Sequence, residues 1–225
     1  MSRQSAMELM CSAILFDLDG VLVDSARVVT RHWERWASRH GVSSKHVMEF
    51  AHGRTSAEII RLVAPHLDAE QEGRLLEADE GDDTDGLEVF EAARRLLHAL
   101  PPNAWAVVTS GKQRTAATRL RYGGFPTPKV LVTADDVRRG KPAPEPYLLA
   151  AQRLGLQPAQ CVVVEDAPVG IEAACAAGMR AIAVVTTHRP HALGQADIIV
   201  RGIADVVVKT EGHQLRVILE PVAAT

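Results

Sequence analysis

Cysteine is scarce in this sequence and shows no pairing. Cys11, Cys161 and Cys175 are odd in number and far apart. Neither a disulfide framework nor a cysteine-built zinc site is signalled, and a reducing, cytoplasmic setting is expected. Concentrated positive charge is also missing. The formal net charge is −3, and no block of Lys or Arg exceeds a pair such as Arg138-Arg139. That excludes a nucleic-acid surface and gives no pull toward anionic membranes. No apolar run approaches the roughly 18 residues of a membrane span. The first ten residues lack the apolar core of a signal peptide. There is no internal repeat. The acidic stretch EADEGDDTDG at 77–86 does not make a calcium loop. With Gly86 at the sixth position, Gly81 falls at the first and Ala92 at the twelfth, where acids are needed. It reads as a solvated linker between two parts of the chain.

What is present is a full core: hydrophobic residues make up 47% of 225 residues, enough for one large domain plus a small accessory one. Residues 13–16 (AILF) read as a strand buried on both faces, halted by Asp17, Asp19 and Gly20. Two acids ending a buried strand are costly unless something pairs with them, although Asp-x-Asp-Gly is also turn chemistry. The next stretch reads as helices only. Ser25 caps a helix running to His40 and closed by Gly41, with Val29, Trp33 and Trp36 as a packing stripe. A second helix opens at Ser43 or Ser44 and ends near His52-Gly53. Thr55 and Glu58 form a capping box ahead of Ile59, Ile60 and Val63, and Asp68 starts a fourth helix.

From Leu87 the pattern alternates. Helices are expected at 88–100, 113–122, 145–154 and 169–177, and strands at 105–108, 130–132, 161–164, 181–185 and 198–200. A terminal hairpin at 206–209 and 215–219 flanks Gly212. The expected fold is α/β: a doubly wound, Rossmann-like parallel sheet with an inserted α-helical cap. Residues 1–25 and 86–225 form the core and 26–85 the cap. A segment inserted at a strand's carboxyl end lies over the crevice where such sheets bind ligands.

Each later strand runs into polar residues: Thr109-Ser110-Gly111 after one, Glu165-Asp166 after another, with Gly140-Lys141-Pro142 at a helix mouth. Each alone has an ordinary reading, Ser110 as a helix cap and Lys141 as a solvated lysine. In a parallel sheet they can converge with Asp17 and Asp19. The pieces DLDGVLVDS, VVTSG, RGKPAPEPY and VVVEDAPVGIEAACAAGM occur in the order and spacing of a known family. The sequence resembles the haloacid dehalogenase superfamily, in the phosphatase branch with a helical cap. The segment AHGRTSAEI is similar to bacterial phosphatases of sugar and polyol phosphates. Val21 stands where many members carry Thr.

The resemblance implies a role for each residue. Asp17 is the nucleophile that becomes an aspartyl phosphate, and Asp19 the general acid and then general base. Superfamily dehalogenases lack an acid at the position of Asp19. A cation must sit between a carboxylate and a phosphate dianion, and Mg2+ suits oxygen ligands. Asp17, Asp166 and the backbone carbonyl of Asp19 are expected to hold it, with Glu165 helping through the outer shell. Lys141 holds Asp17 and neutralises the transferring group, while Ser110 and the Gly111 amide hold phosphate oxygens. His52 and Arg54 are expected to contact the sugar. The expected partner is a small phosphorylated metabolite, with no nucleic acid and no membrane, and the protein is expected as a monomer or weak dimer. The implied activity is a phosphatase. A β-phosphoglucomutase-type mutase, a phosphoglycolate phosphatase and a non-catalytic binding protein stand as alternatives.

Overall fold

The computed structural model describes residues 6–222. The chain opens with β1 (Met7–Cys11), β2 (Ala13–Phe16) and β3 (Val23–Asp24). Four helices follow: α1 (Ala26–His40), α2 (Ser44–Met48), α3 (Ser56–Val63) and α4 (Ala69–Glu80). Then come β4 (Glu88–Val89), α5 (Glu91–Ala99), β5 (Trp105–Val108), α6 (Gln113–Tyr122), β6 (Leu131–Val132) and α7 (Glu145–Leu154). The last elements are β7 (Cys161–Glu165), α8 (Pro168–Ala176), β8 (Arg180–Val184), β9 (Ile198–Val200), β10 (Val206–Glu211) and β11 (Gln214–Leu219).

Six strands form the main sheet in the order β6-β5-β2-β7-β8-β9, all parallel. The strands β2, β5 and β7 are buried along their whole length, which is why they read as continuous apolar runs. Alternate side chains serve opposite layers. Ile14, Phe16, Val107 and Val164 pack with α5 and α6, while Leu15, Val108 and Val163 pack with α7 and α8. The order reverses at β2, and this switch point is where such sheets open a ligand crevice. Phe16 faces Val107 on one side and Val164 on the other, so Asp17, Thr109 and Glu165-Asp166 emerge at one height.

Helices α1–α4 bury an apolar cluster of their own around Trp33, Trp36, Val47 and Ile60. The tryptophans pack edge to face with ring centroids 5.4 Å apart. Gly41 takes φ 65° at the end of α1, and the Thr55–Glu58 capping box opens α3. No helix among the described residues is long and apolar enough to cross a membrane.

Several local expectations are corrected. The start of α1 is capped by the Asp24 carboxylate, which accepts from the Ala26 amide, and the Ser25 side chain makes no cap bond. Helix α2 stops at Met48, leaving an irregular segment in which Gly53 adopts φ 82°. The helix expected at 88–100 begins only at Glu91, because Glu88–Val89 pairs with Val23–Asp24 and stitches the chain's exit from the helices to its entry. β1 was not foreseen; it pairs antiparallel with β11, from Met7↔Leu219 to Cys11↔Leu215. The acidic stretch 77–86 is not a free solvated linker. α4 continues through it to Glu80, Asp83 accepts from Arg31 and His32 at 2.6 and 2.8 Å, and Asp82 pairs with Arg114.

Candidate active site

The site is organised by a buried lysine. Lys141 is 1% exposed, and its Nζ donates to Asp17 Oδ1 at 2.6 Å, Glu165 Oε1 at 2.6 Å and the Val108 carbonyl at 3.1 Å. An ammonium has three protons, so these partners use all of them and fix its position. Burial opposes the charge, but the Asp17 and Glu165 carboxylates outweigh it and hold the ammonium above its usual range.

Glu165 is fully saturated. Its Oε1 accepts from Lys141 and from the Tyr147 hydroxyl at 2.8 Å, and its Oε2 accepts from the amides of Asp166 and Ala167 at 2.9 and 3.1 Å. Burial alone would raise its pKa, yet the Lys141 charge and these donors hold it below the usual carboxylate range. The carboxylate lies so close to the first turn of α8 that a Cβ at Gly170 would overlap it.

Asp17 and Asp166 have no such compensation. Ligand atoms of Asp17, Glu165 and Asp166 lie within 4.8 Å of one another. Burial, then the neighbouring carboxylates, pushes Asp17 up to about 8 against the opposing Lys141 charge. Burial, Glu165 and Asp17 raise Asp166 well above its ordinary value. The carboxylate of Asp166 takes a hydrogen bond from Thr187. Gly20, at φ 78°, leaves room for it, since a Cβ there would strike Asp166 Oδ2. Three crowded carboxylates share one ammonium, and every donor atom is a hard oxygen. That set fits a divalent cation held by Asp17 and Asp166. The four bonds already made to Glu165 leave it holding Lys141 and the 166–167 backbone.

On the other side of Asp17, Asp19 is split between two environments. Its Oδ2 accepts from Arg119 Nη1 at 2.6 Å, while Oδ1 is buried without a partner. Arg119 projects from α6 with its side chain 4% exposed and also pairs with Glu80 at the end of α4. These groups face a crevice between the strand ends, α6 and helices α1, α3 and α4.

The expected substrate-side residues are all near this crevice. His52, Arg54, Ser110 and Gly111 line it. The His52 ring meets His188 edge to face at 5.7 Å, and burial, then His188, lowers its pKa. Arg54 lies 5.8 Å over the Phe50 ring. The Ser110 hydroxyl donates to the Gly53 carbonyl at 2.8 Å, and the Gly111 amide donates to Thr109 Oγ1 at 3.0 Å. Both phosphate donors expected from the sequence are thus engaged within the protein. Sequence reasoning missed Arg119, Glu80 and Tyr147. Thr115 and Arg119 share the buried face of α6 with Ala116 and Leu120, and an arginine on a buried helix face was the signal available.

Comparison with known proteins bears on what this arrangement is. Residues 11–178 match the family described as haloacid dehalogenase-like hydrolase. The chain is 41% identical over 203 residues to hexitol phosphatase A of Escherichia coli (strain K12), covering 88% of this chain and 94% of that protein. It is 36% identical over 205 residues to validoxylamine A 7'-phosphate phosphatase of Streptomyces hygroscopicus subsp. limoneus, covering 88% and 96%. Among solved structures, a hydrolase from Pseudomonas syringae shares the fold with a TM-score of 0.77 at 22% identity, over 86% of this chain and 94% of that one. The match spans β2 through α8 and every strand end that carries an acidic site residue, and the chain belongs to the haloacid dehalogenase-like hydrolase family.

Proposed function

We propose that this chain is a Mg2+-dependent phosphatase of small sugar or sugar-alcohol phosphates, working through an aspartyl phosphate on Asp17. The observation that carries the reading is the shared lysine: Lys141 is bonded at once to Asp17 and Glu165, with Asp166 beside both. This leaves uncompensated buried negative charge beside the nucleophile, where a cation is needed. Asp17, Asp166 and the Asp19 backbone carbonyl would hold Mg2+. When bound, the ion supplies charge neutralisation between the carboxylates and the phosphoryl oxygens.

The chain's own groups do the rest. Asp17, held by Lys141, forms a bond to phosphorus as the bond from phosphorus to the sugar oxygen breaks. Asp19 gives that leaving oxygen its proton. It then takes a proton from the water that cleaves the aspartyl phosphate and regenerates Asp17. Lys141 stabilises the charge on the transferring group. The Ser110 hydroxyl turns from Gly53 to the phosphate when substrate binds. Residues 26–85 act as a cap over a core of 1–25 and 86–225, with His52 and Arg54 meeting the sugar. The relative named hexitol phosphatase A supports this substrate class, and the one named validoxylamine A 7'-phosphate phosphatase supports the phosphatase activity. Three free cysteines fit a reducing compartment, and we place the protein in the cytoplasm.

A panel of phosphorylated metabolites assayed with Mg2+, with and without EDTA, tests the reading. Free phosphate from hexose and hexitol phosphates, lost on chelation, is expected. No release, or interconversion of sugar phosphates that depends on a bisphosphosugar and frees no phosphate, contradicts it.

A further inference from the structure

We propose that Arg119 is the positioning residue for the general acid. It clamps one oxygen of Asp19 and leaves the other unpaired to carry the proton, and through Glu80 it makes that arrangement depend on the seating of α4. The inference rests on the phosphatase reading above, which gives Asp19 its role.

Asp19 stands just ahead of the turn at 20–22, and its side chain makes its single hydrogen bond among the described residues to Arg119, through Oδ2. The carboxylate's other oxygen, Oδ1, is buried and bonded to nothing, although Asp19 itself lines the crevice. An orphaned acceptor beside a fully engaged one is the arrangement expected of an acid that must present its proton in one direction. The proton passes from Asp19 Oδ1 to the leaving oxygen, which keeps the electron pair of the broken bond to phosphorus.

The residue types fit a clamp. A guanidinium has donors in a rigid fork and stays charged, so it can grip two carboxylates at fixed angles, where a lysine offers a single flexible point. Nη1 holds Asp19 and Nη2 holds Glu80. Those acids belong to different parts of the chain. Asp19 follows the central strand, Glu80 is the last residue of α4, and Arg119 stands on α6.

The leaving group separates this role from a structural one. An alkyl phosphate expels a strongly basic oxygen and needs the proton. p-Nitrophenyl phosphate expels a stable phenolate and does not. We compare kcat/KM at saturating Mg2+ for p-nitrophenyl phosphate and for an alkyl phosphate turned over in the panel, in wild type, Arg119→Met, Arg119→Lys, Glu80→Gln and Asp19→Asn. General acid catalysis is worth about 10²–10⁴-fold. Arg119→Met is therefore expected to lose about 100-fold on the alkyl phosphate and under about tenfold on the nitrophenyl ester, with Arg119→Lys between it and wild type. Glu80→Gln should show a weaker selective loss, and adding it to Arg119→Met should cost nothing further.

Equal losses on both substrates overturn the clamp. If Arg119→Met does not fold, Glu80→Gln carries the same readout, and an equal or absent loss there overturns it. Asp19→Asn separates this failure from that of the underlying reading. Selective loss in Asp19→Asn without it in Arg119→Met sinks the clamp alone; absence of selective loss in Asp19→Asn sinks both.

Discussion

Asp17 is the residue whose environment most directly calls for a bound cation. Its pKa is pushed up to about 8 by burial and by neighbouring carboxylates, with Asp166 raised as well. An unfolded aspartate titrates near 3.9, so without a cation the folded state binds protons more tightly than the unfolded one. Stability from this source is full at acid pH and falls as pH rises from about 4 to about 8. A divalent cation held by these carboxylates would relieve the same repulsion. The melting temperature measured with EDTA should therefore decline across that window, and added Mg2+ should raise it more at pH 8 than at pH 5. An equal Mg2+ effect at both pH values would place the ion elsewhere. At the same scale, Arg54→Ala should raise KM for the sugar phosphate while leaving the Mg2+ requirement intact. An unchanged substrate profile removes Arg54 from the site.

Elements bring these residues together, and two close approaches set how tightly. The first turn of α8 runs directly under the Glu165 carboxylate because Gly170 has no side chain to block it. Gly170→Ala should force Glu165 away from Lys141 and Tyr147 and cost about 3 kcal/mol through overpacking. Activity should fall with stability, as read by thermal melting and phosphate release. A variant with wild-type melting would show that the turn yields instead. The second approach ties α1 to the chain returning from α4. Asp83 is drawn down to about 2: burial opposes the shift, but hydrogen bonds from Arg31 and His32 outweigh it. A depressed carboxylate stabilises the fold above its unfolded pKa and loses that contribution as pH falls from about 4 toward 2. Asp83→Asn should lower the melting temperature at neutral pH and flatten its decline on that acid limb. A variant that tracks wild type down the limb would show that the tie adds nothing.

Across the whole molecule, legibility followed pattern: what carried a period or a strand-end position could be read, and what rested on a single distant contact could not. The parallel core could be read because β2, β5 and β7 are buried on both faces and helices alternate with them. Asp17, Lys141 and Asp166 stood out because strand ends carry polar residues to one edge of such a sheet. The strands β3 and β4 have two residues each, too few to show a period. β1 finds its partner only near the chain's other end, at Leu215–Leu219. Arg119 meets Asp19 across 100 positions, and only its place beside Thr115, Ala116 and Leu120 on one face of α6 marks it apart from Arg114 and Arg121. The acidic stretch 77–86 looked solvated because its cations, Arg31, Arg114 and Arg119, come from helices distant in sequence.

In the proposed mechanism a cation and Asp17 act together on a phosphate ester at the strand ends. Phosphate release from a hexitol phosphate, measured for wild type and Asp17→Asn with Mg2+ and with EDTA, tests it most directly. Release should occur in wild type with Mg2+ and vanish on chelation. Asp17→Asn should fold, with a cooperative melt, and release none. Release that survives in Asp17→Asn or in EDTA would contradict the account.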